Sequence, residues 1–363
     1  MSWRETTLGE ITDLKRGFDL PKSQRLQGDV PVYSSSGITG SNSTAAVEGP
    51  CVITGRYGTI GEVFFSGGPC WPLNTALYST EFNGNNPRFV YYLLQTIPWQ
   101  GYTTASAVPG VNRNHVNLCP VKIPDKATQD AIVEVLDSIV DKIALNNRLN
   151  DYLANLCETI ASRYCNDRNS RLRDICYQVA DHVDYDNANQ ETYVSTESLM
   201  QNKGGRQLAS SLPTTGKITR YKAGDTLISN IRPYFKKIWY APFEGTCSGD
   251  VIVFRANDPS NAPYLHACLR QDSFFDYVMQ GAKGTKMPRG DKKQMMEFKV
   301  ASSCSTKDLI LLDSAIKQRS DNDSETVKLQ ALRDTLLPKL MSGEIDVSKV
   351  DLTQLTNNHL ADY

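Results

Sequence analysis

Lysine and arginine residues interspersed with aromatic side chains form two dense clusters in the second half of the chain. Residues 217–237 contain six basic residues and one acid, and residues 281–293 contain five basic residues and one acid among glycines and a proline. Loops of this composition bring cations close to phosphates, while arginine and tyrosine can reach base edges. The alternative is an ordinary solvated basic surface. The candidate nucleic-acid contacts are Lys217, Arg220, Arg232, Tyr234, Lys236, Lys283, Lys286 and Arg289.

Three shorter segments in the first half, at residues 15–17, 54–59 and 111–115, carry the same residue types. Arginine and asparagine suit bidentate contacts to guanine and adenine respectively. Each segment also has the composition of a common surface turn, so a solvated turn is the alternative reading. The candidate contacts in this half are Arg16, Arg56, Tyr57, Asn112 and Arg113.

Catalytic signatures are incomplete. The segment Asn261-Ala262-Pro263-Tyr264 partly resembles the Asn/Asp-Pro-Pro-aromatic element of base methyltransferases, but the glycine-rich cofactor loop of those enzymes is missing. Glu297-Phe298-Lys299, with Asp276 or Asp291 upstream, resembles the arrangement with which nucleases hold Mg²⁺. The four histidines have no metal-ligand spacing, and no phosphate-binding loop or nucleophile elbow occurs. The pattern favours a binding protein, with a methyltransferase or nuclease as the alternative.

An internal repeat with a separation near 176 residues organises the chain. The apolar run at 51–54 matches that at 226–229, and both predict a buried strand after a turn glycine. Pro87 and Pro263 each start a predicted helix. Residues 121–123 match 298–300, and residues 136–138 match 312–314. Leu8-Gly9-Glu10-Ile11 resembles Leu172-Arg173-Asp174-Ile175 at a shorter offset, which we interpret as extra residues near the start of the first copy.

A long helix follows each copy of the repeat. In the first helix, apolar residues alternate at steps of three and four along one seam, and two asparagines interrupt the seam at its middle. The seam is Ile132, Leu136, Ile139, Ile143, Asn146, Asn150, Leu153, Cys157, Ile160 and Tyr164. The second helix, at about 306–342, has its polar middle near Asn322. We expect the two helices to pair antiparallel with their polar midpoints crossing; packing of each helix on its own globule is the alternative.

The predicted fold class is therefore α+β, with two tandem-repeated mixed α/β domains separated by two long helices that pair as an antiparallel coiled coil with pseudo-two-fold symmetry. The expected boundaries are a first domain at 1–124, a central spacer helix at 125–168, a second domain at 169–305, a distal spacer helix at 306–344 and a C-terminal tail at 345–363.

The formal net charge of −1 conceals a separation of charge along the 363 residues. It is +1 for residues 1–124, −3 for 125–170, +4 for 171–305 and −3 for 306–363. Basic domains joined by acidic helices are typical of nucleic-acid binding by the domains and of protein contacts by the helices. The nine scattered cysteines, the missing secretory signal and the missing apolar run predict a soluble, cytoplasmic protein with reduced thiols and no membrane span.

This layout resembles the specificity subunit of type I restriction–modification enzymes. Residues 3–11 are similar to the opening of that family, Gly55-Arg56-Tyr57-Gly58-Thr59-Ile60-Gly61 resembles its first-domain glycine loop, and residues 332–345 resemble the close of its distal helix. The resemblance extends over nearly the whole chain up to about Val347. The second domain departs from the pattern, because Asn230-Ile231-Arg232-Pro233-Tyr234 stands where a glycine loop is expected.

The resemblance implies a non-catalytic scaffold for phage defence. Each target recognition domain would read one half of a bipartite site in double-stranded DNA, and the helices would set the unread gap. Two modification subunits, which bind S-adenosylmethionine, and restriction subunits that use ATP and Mg²⁺ would join the chain, which itself would bind no cofactor and no metal. The competing classes are a stand-alone methyltransferase or nuclease and a protein–protein adaptor.

Overall fold

The computed structural model describes residues 3–103, 110–164, 167 and 169–350. It contains both copies of the repeat and both long helices. The chain divides into two units. Unit 1 contains the described residues up to Ile143 and those from Val327 onward, and unit 2 contains Ala144–Thr326. Each unit therefore includes half of each long helix.

Unit 1 is built around three sheets. The four-stranded sheet has the order β2-β8-β5-β6, the three-stranded sheet the order β4-β3-β7, and β1 pairs with β9. The central strand β5 is wholly buried, as its apolar run predicts. The elements up to the first long helix are β1 (Trp3–Thr7), α1 (Leu8–Ile11), β2 (Lys15–Arg16), β3 (Val30–Ser34), β4 (Gly37–Asn42), β5 (Cys51–Gly55), β6 (Val63–Ser66), β7 (Trp71–Pro72), β8 (Ala76–Ser79), α2 (Pro87–Gln95), α3 (Arg113–Val116), β9 (Pro120–Pro124) and α4 (Lys126–Arg163).

Unit 2 repeats this plan. Its sheets have the orders β11-β18-β15-β16 and β12-β14-β17-β13, and β10 pairs with β19. The elements after α4 are β10 (Ser170–Arg171), α5 (Leu172–Ile175), β11 (Cys176–Gln178), β12 (His182–Asp184), β13 (Tyr193–Val194), β14 (Lys217–Tyr221), β15 (Thr226–Ser229), β16 (Ile238–Tyr240), β17 (Gly245–Cys247), β18 (Val251–Ala256), α6 (Ala262–Leu269), α7 (Asp272–Gln280), α8 (Lys292–Met295), β19 (Lys299–Val300) and α9 (Thr306–Ser342).

The four-stranded sheets of the two units have equivalent strand orders. The prediction that β5 and β15 are equivalent strands of the repeat is therefore confirmed. The second sheets differ, because β14 in unit 2 pairs with β12 and β17 and has no counterpart at that place in unit 1. The expectation of extra residues in the first copy is wrong. Leu8 and Cys51 are 43 positions apart, whereas Leu172 and Thr226 are 54 apart, so the insertion that contains β14 lies in the second copy.

The two long helices pair antiparallel, as the seam predicts. Within unit 2, Asn150 accepts a hydrogen bond from Asn322 at 2.8 Å, and Asn146 donates to Glu325 at 2.8 Å. The residue numbers of the contacts therefore rise along α4 while they fall along α9, which shows that the helices are antiparallel. Within unit 1, Leu136 and Leu340 share one buried cluster. The crossing of the polar midpoints is confirmed, and buried asparagines of this kind fix helix register.

Beyond α9, Ile345, Val347 and Val350 pack on the core of unit 1. The rest of the expected tail, residues 351–363, lies outside the described residues. Seven of the eight described cysteines are buried thiols, and Cys165 also lies outside the described part. Within the described ranges, the helices are too short or too polar to cross a membrane.

Candidate nucleic-acid interface

In unit 1, the loop after β5 meets the loop that precedes α3. The amide of Val111 donates to the carbonyl of Arg56 at 2.9 Å, and Tyr57 forms an antiparallel bridge with Gly110. A Cβ at Gly110 would lie 2.3 Å from a carbon of the Tyr57 ring, so this approach requires glycine. We call these two segments, residues 55–61 and 110–113, the unit 1 loop pair.

The unit 1 loop pair presents a cation and an aromatic ring together. The Arg56 guanidinium lies 4.6 Å from the centroid of the Tyr57 ring, and Tyr57 is 39% exposed. The amides of both residues donate to the carbonyl of Thr75, at 2.9 and 3.2 Å, which fixes the loop at the start of β8. A guanidinium stacked on a ring is oriented in advance for contact with a base or phosphate.

Of the other three candidates of unit 1, Asn112 and Arg113 belong to this loop pair, and Arg16 lies on β2. Arg16 is exposed on β2 opposite Leu77 of β8, and forms an ion pair with Asp19 at 3.5 Å. Arg113 is exposed at the start of α3 and donates to the carbonyl of Leu14 at 3.5 Å. Asn112 caps α3 by accepting from the amide of Asn114 at 3.0 Å. The structure therefore brings Asn112 and Arg113 together with Arg56 and Tyr57, and places Arg16 on a strand of the sheet that contains β5.

Unit 2 has the same arrangement of loops. Ile231, after β15, forms an antiparallel bridge with Arg289, and the amide of Arg232 donates to the carbonyl of Pro288 at 2.8 Å. Lys283 and Arg289 exchange two backbone hydrogen bonds of 2.9 Å, which close the second loop on itself. We call residues 230–237 and 283–291 the unit 2 loop pair.

The unit 2 loop pair is more strongly basic, and acids hold some of its cations. Arg289 forms an ion pair with Asp250 at 3.0 Å, and the 85% exposed Lys283 side chain lies 3.7 Å from Asp291. Lys286 is exposed, and Arg232 is half-buried in a left-handed backbone conformation with φ of 50°. These groups are positioned to neutralise phosphates or read base edges.

Of the remaining four candidates of unit 2, Lys217 and Arg220 lie outside the loop pair, and Tyr234 and Lys236 lie within it. Lys217 and Arg220 are exposed on β14, in the other sheet. Tyr234 is 46% exposed and packs on Phe235, with ring centroids 4.6 Å apart. The Lys236 ammonium lies 2.8 Å from a carboxylate oxygen of Asp272, on α7.

Two further groups, Lys292 and Asp250, were not predicted from the sequence and lie at the unit 2 loop pair. Asp291 caps α8 as Asn112 caps α3, so Lys292 is the unit 2 counterpart of Arg113. The shared order of glycine, Asx and cation at 110–113 and 290–292 could have revealed this match. Asp250, the partner of Arg289, had no local signal because a strand turn brings it there.

The residues that suggested a methyltransferase or a nuclease make structural contacts. The Glu297 carboxylate forms ion pairs with Arg171 and Arg173, and Asp291 accepts from the amides of Lys293 and Gln294. Ala262, Pro263 and Tyr264 are buried at the start of α6. In the described part of the chain, no three histidine, cysteine or acidic residues are grouped to hold a metal ion.

Comparisons with known proteins agree with this geometry. The family model described as "Type I restriction modification DNA specificity domain" matches residues 1–155. The type I restriction enzyme EcoDI specificity subunit of Escherichia coli is 19% identical over 354 residues, covering 83% of this chain and 77% of that one. The crystal structure of a type I restriction-modification S subunit from M. genitalium has the same fold, with a TM-score of 0.59, 16% identity, and coverage of 94% and 96% of the two chains.

Residues 1–155, which include most of the first unit, thus match a DNA specificity domain of type I restriction–modification systems. The chain as a whole is similar to specificity subunits of type I restriction–modification systems, in sequence over most of its length and in fold. The stand-alone methyltransferase, the nuclease and the adaptor are not favoured.

Proposed function

We propose that each unit reads one half of a bipartite site in double-stranded DNA. The recurrence of one loop pair on two copies of the same four-stranded sheet carries this proposal. A binder with two equivalent reading surfaces on one chain matches a target with two specified halves. The reading residues of the first half-site are Arg16, Arg56, Tyr57, Asn112 and Arg113; those of the second come from Arg232, Tyr234, Lys283, Lys286 and Arg289, with Lys217 and Arg220 on β14 as further phosphate contacts.

The paired helices set the length of the unread gap between the two halves. Each residue added to an α-helix adds ~1.5 Å along its axis, so helix length translates into spacing between DNA contacts. The polar contacts of Asn146 and Asn150 with α9 fix the register of the pair and make the spacing definite. Residues 125–168 and 306–344 are the spacers in this proposal, and residues 1–124 and 169–305 the target recognition domains.

The outer face of α4 provides a surface for the modification subunits. Leu145, Leu149 and Tyr152 follow each other at steps of four and three, and are 56%, 38% and 64% exposed. Such an apolar stripe on an acidic helix suits a protein partner and repels DNA. In the proposed complex, two modification subunits and the restriction subunits assemble on this chain in the cytoplasm.

The proposed scaffold performs no chemistry itself. S-adenosylmethionine, ATP and Mg²⁺ belong to the modification and restriction subunits. The purified chain, incubated with DNA, S-adenosylmethionine and Mg²⁺, is expected to give neither methylation nor cleavage, whereas addition of the partner subunits restores both. Turnover by the chain alone would contradict the scaffold and favour an enzyme.

A paired insertion tests the spacer. Four residues are added after Asn147 in α4 and four after Ser324 in α9, so that both helices of the antiparallel pair lengthen together between the Asn146–Glu325 and Asn150–Asn322 contacts. Sequencing of methylated positions is expected to recover both half-sites with a changed gap. Recovery of the original gap would exclude the helix pair as the ruler. An insertion in α4 alone is the matched control, and is expected to disturb the polar layer and lower activity without defining a new gap.

A further inference from the structure

Unusual backbone conformations are concentrated in one part of unit 2. Among the described residues, five residues other than glycine have positive φ, and four of them are Asn202, Lys203, Arg232 and Lys236. Their φ values lie between 50° and 61°. Side chains with a Cβ rarely adopt this region, and such residues persist where surrounding contacts hold them, often at functional sites.

The four residues belong to two segments that bond to each other. The amides of Asn202 and Lys203 donate to the carbonyls of Phe235 and Lys236, both at 2.8 Å. We call residues 232–236 the recognition segment, because it contains Arg232 and Tyr234 of the unit 2 loop pair. The turn at 202–203 is thus the backbone support of the recognition segment.

A chain of ion pairs joins this support to the long helix α4. Lys236 and Lys203 share one oxygen of Asp272, at 2.8 and 3.0 Å. Lys203 also lies 3.0 Å from Glu158 on α4, and Glu158 lies 3.4 Å from Arg270. The Lys203 and Arg270 side chains are only 10% and 5% exposed. Because Lys203 and Arg270 are buried, their pairing with Glu158 is the strong part of this restraint, whereas the Asp272 side chain is 62% exposed.

The residues that form these ion pairs line a polar cleft. Glu158, Lys203, Lys236, Arg270 and Asp272 line a cavity of about 660 Å³. Burial lowers the pKa of Arg270 to about 10. Pro233 of the recognition segment is buried, so apolar packing also holds the segment, and the charge pairs add its link to α4.

We propose that Glu158, Lys203 and Asp272 are positioning residues that hold the recognition segment on α4, so that Arg232 and Tyr234 meet the second half-site in a fixed orientation. Lys236 belongs to this anchor and is not a phosphate contact, in contrast to its assignment from sequence. The inference rests on the proposed function, and adds the residues that determine the specificity of unit 2 without touching DNA.

The first test replaces Glu158 by Gln in the complex with the partner subunits. Methylation of a library randomised in both half-sites is expected to show preference at the second half-site lowered on the order of tenfold, the discrimination that one base contact supplies. Preference at the first half-site stays at wild-type level and reports that the complex is assembled. Glu134→Gln, an exposed residue of the same helix, is the matched control and leaves both preferences unchanged. Lys203→Gln repeats the defect, and Lys203→Arg restores the preference.

The second test is Lys236→Gln, in which Lys203 still pairs with Asp272 and the fold is retained. The logarithm of DNA affinity against the logarithm of salt concentration is expected to keep its slope, while second-half-site preference relaxes. A slope reduced by about 0.9 with uniform weakening would make Lys236 a phosphate contact and overturn the anchor. Unchanged preference, or equal loss in both half-sites, would overturn it as well. A wild-type complex that discriminates neither half-site would instead contradict the proposed function.

Discussion

The two units present their loop pairs on equivalent sheets and hold both by backbone hydrogen bonds, but the side-chain contacts that each unit adds are different. In unit 1, the loop pair is held by backbone hydrogen bonds to Thr75 and by the stacking of Arg56 on Tyr57. In unit 2, ion pairs such as that of Arg289 with Asp250 hold it, together with left-handed backbone at Arg232 and Lys236. The scaffold is therefore shared, and the loops and their restraints are specific to each unit.

The sheet and the loops of each unit therefore have different roles. The buried four-stranded sheet has to be the same in both units, because its apolar residues determine the fold. The loops are free to differ in charge, which is why the second domain carries +4 and the first +1. In the proposed complex, a change in the loops of one unit would alter the sequence preference at one half-site and not at the other.

The largest difference is expected for the buried acids that brace each unit. Asp225 in unit 2 is 1% exposed and accepts two bonds of 2.7 Å from Arg255, whereas the Asp137 side chain in unit 1 is 26% exposed and accepts from Arg88. Asp225→Ala should lower the free energy of unfolding of unit 2 by about 3–5 kcal/mol, since it leaves a half-buried guanidinium unpaired. Asp137→Ala should cost unit 1 about 1–3 kcal/mol.

Amide hydrogen exchange resolved by mass spectrometry measures both units in one chain. Asp225→Ala is expected to speed exchange in β15 and β18 while α2 keeps its wild-type protection. A larger loss for Asp137→Ala, or loss spread evenly over both units, would contradict the ranking by burial.

The long helices and the buried strands could be predicted from the sequence, because their patterns are local. The three-and-four spacing from Ile132 to Tyr164 identified the helix seam, and the apolar run at 226–229 identified β15, since each pattern reports burial of its own residues. The loop pairs were predictable only as separate segments. Arg289 meets Ile231 across 58 positions, and Asp272, which holds Lys236, lies 36 positions after it, so neither role has a local signal.

An intermediate effect is expected for the arginines that face DNA in the proposed complex. Arg289→Ala should relax recognition of the second half-site, and Arg56→Ala that of the first, each by about 1–3 kcal/mol at the positions read. Because Arg289 is fixed by Asp250, its loss should be confined to few positions, whereas loss of Arg56 also frees the Tyr57 ring and should affect more.

Methylation of the doubly randomised library measures both variants side by side. The exposed Arg4, which lies on β1, supplies the control substitution Arg4→Ala, with the same loss of charge away from the loop pairs. If either arginine variant relaxed both half-sites together, the division of reading between the units would be wrong.

The smallest effect concerns pH, and again separates the units. His266 is buried on α6, where its Nδ1 lies 3.2 Å from the hydroxyl of Thr226, and burial beside Arg270 and Arg319 lowers its pKa well below 6.5. The described histidine of unit 1, His115, is exposed.

Below about pH 6.5, His266 binds a proton in the unfolded chain but stays neutral in folded unit 2. The free energy of unfolding of unit 2 should therefore fall as the pH drops below that value, by about 1.4 kcal/mol for each pH unit. The comparison is made between about pH 6.5 and about pH 5.5. Hydrogen exchange at both pH values, corrected for the intrinsic rate, should show protection lost in β15 but kept in α2. His115→Gln should leave this pattern unchanged. Equal losses in both units would place the proton uptake elsewhere.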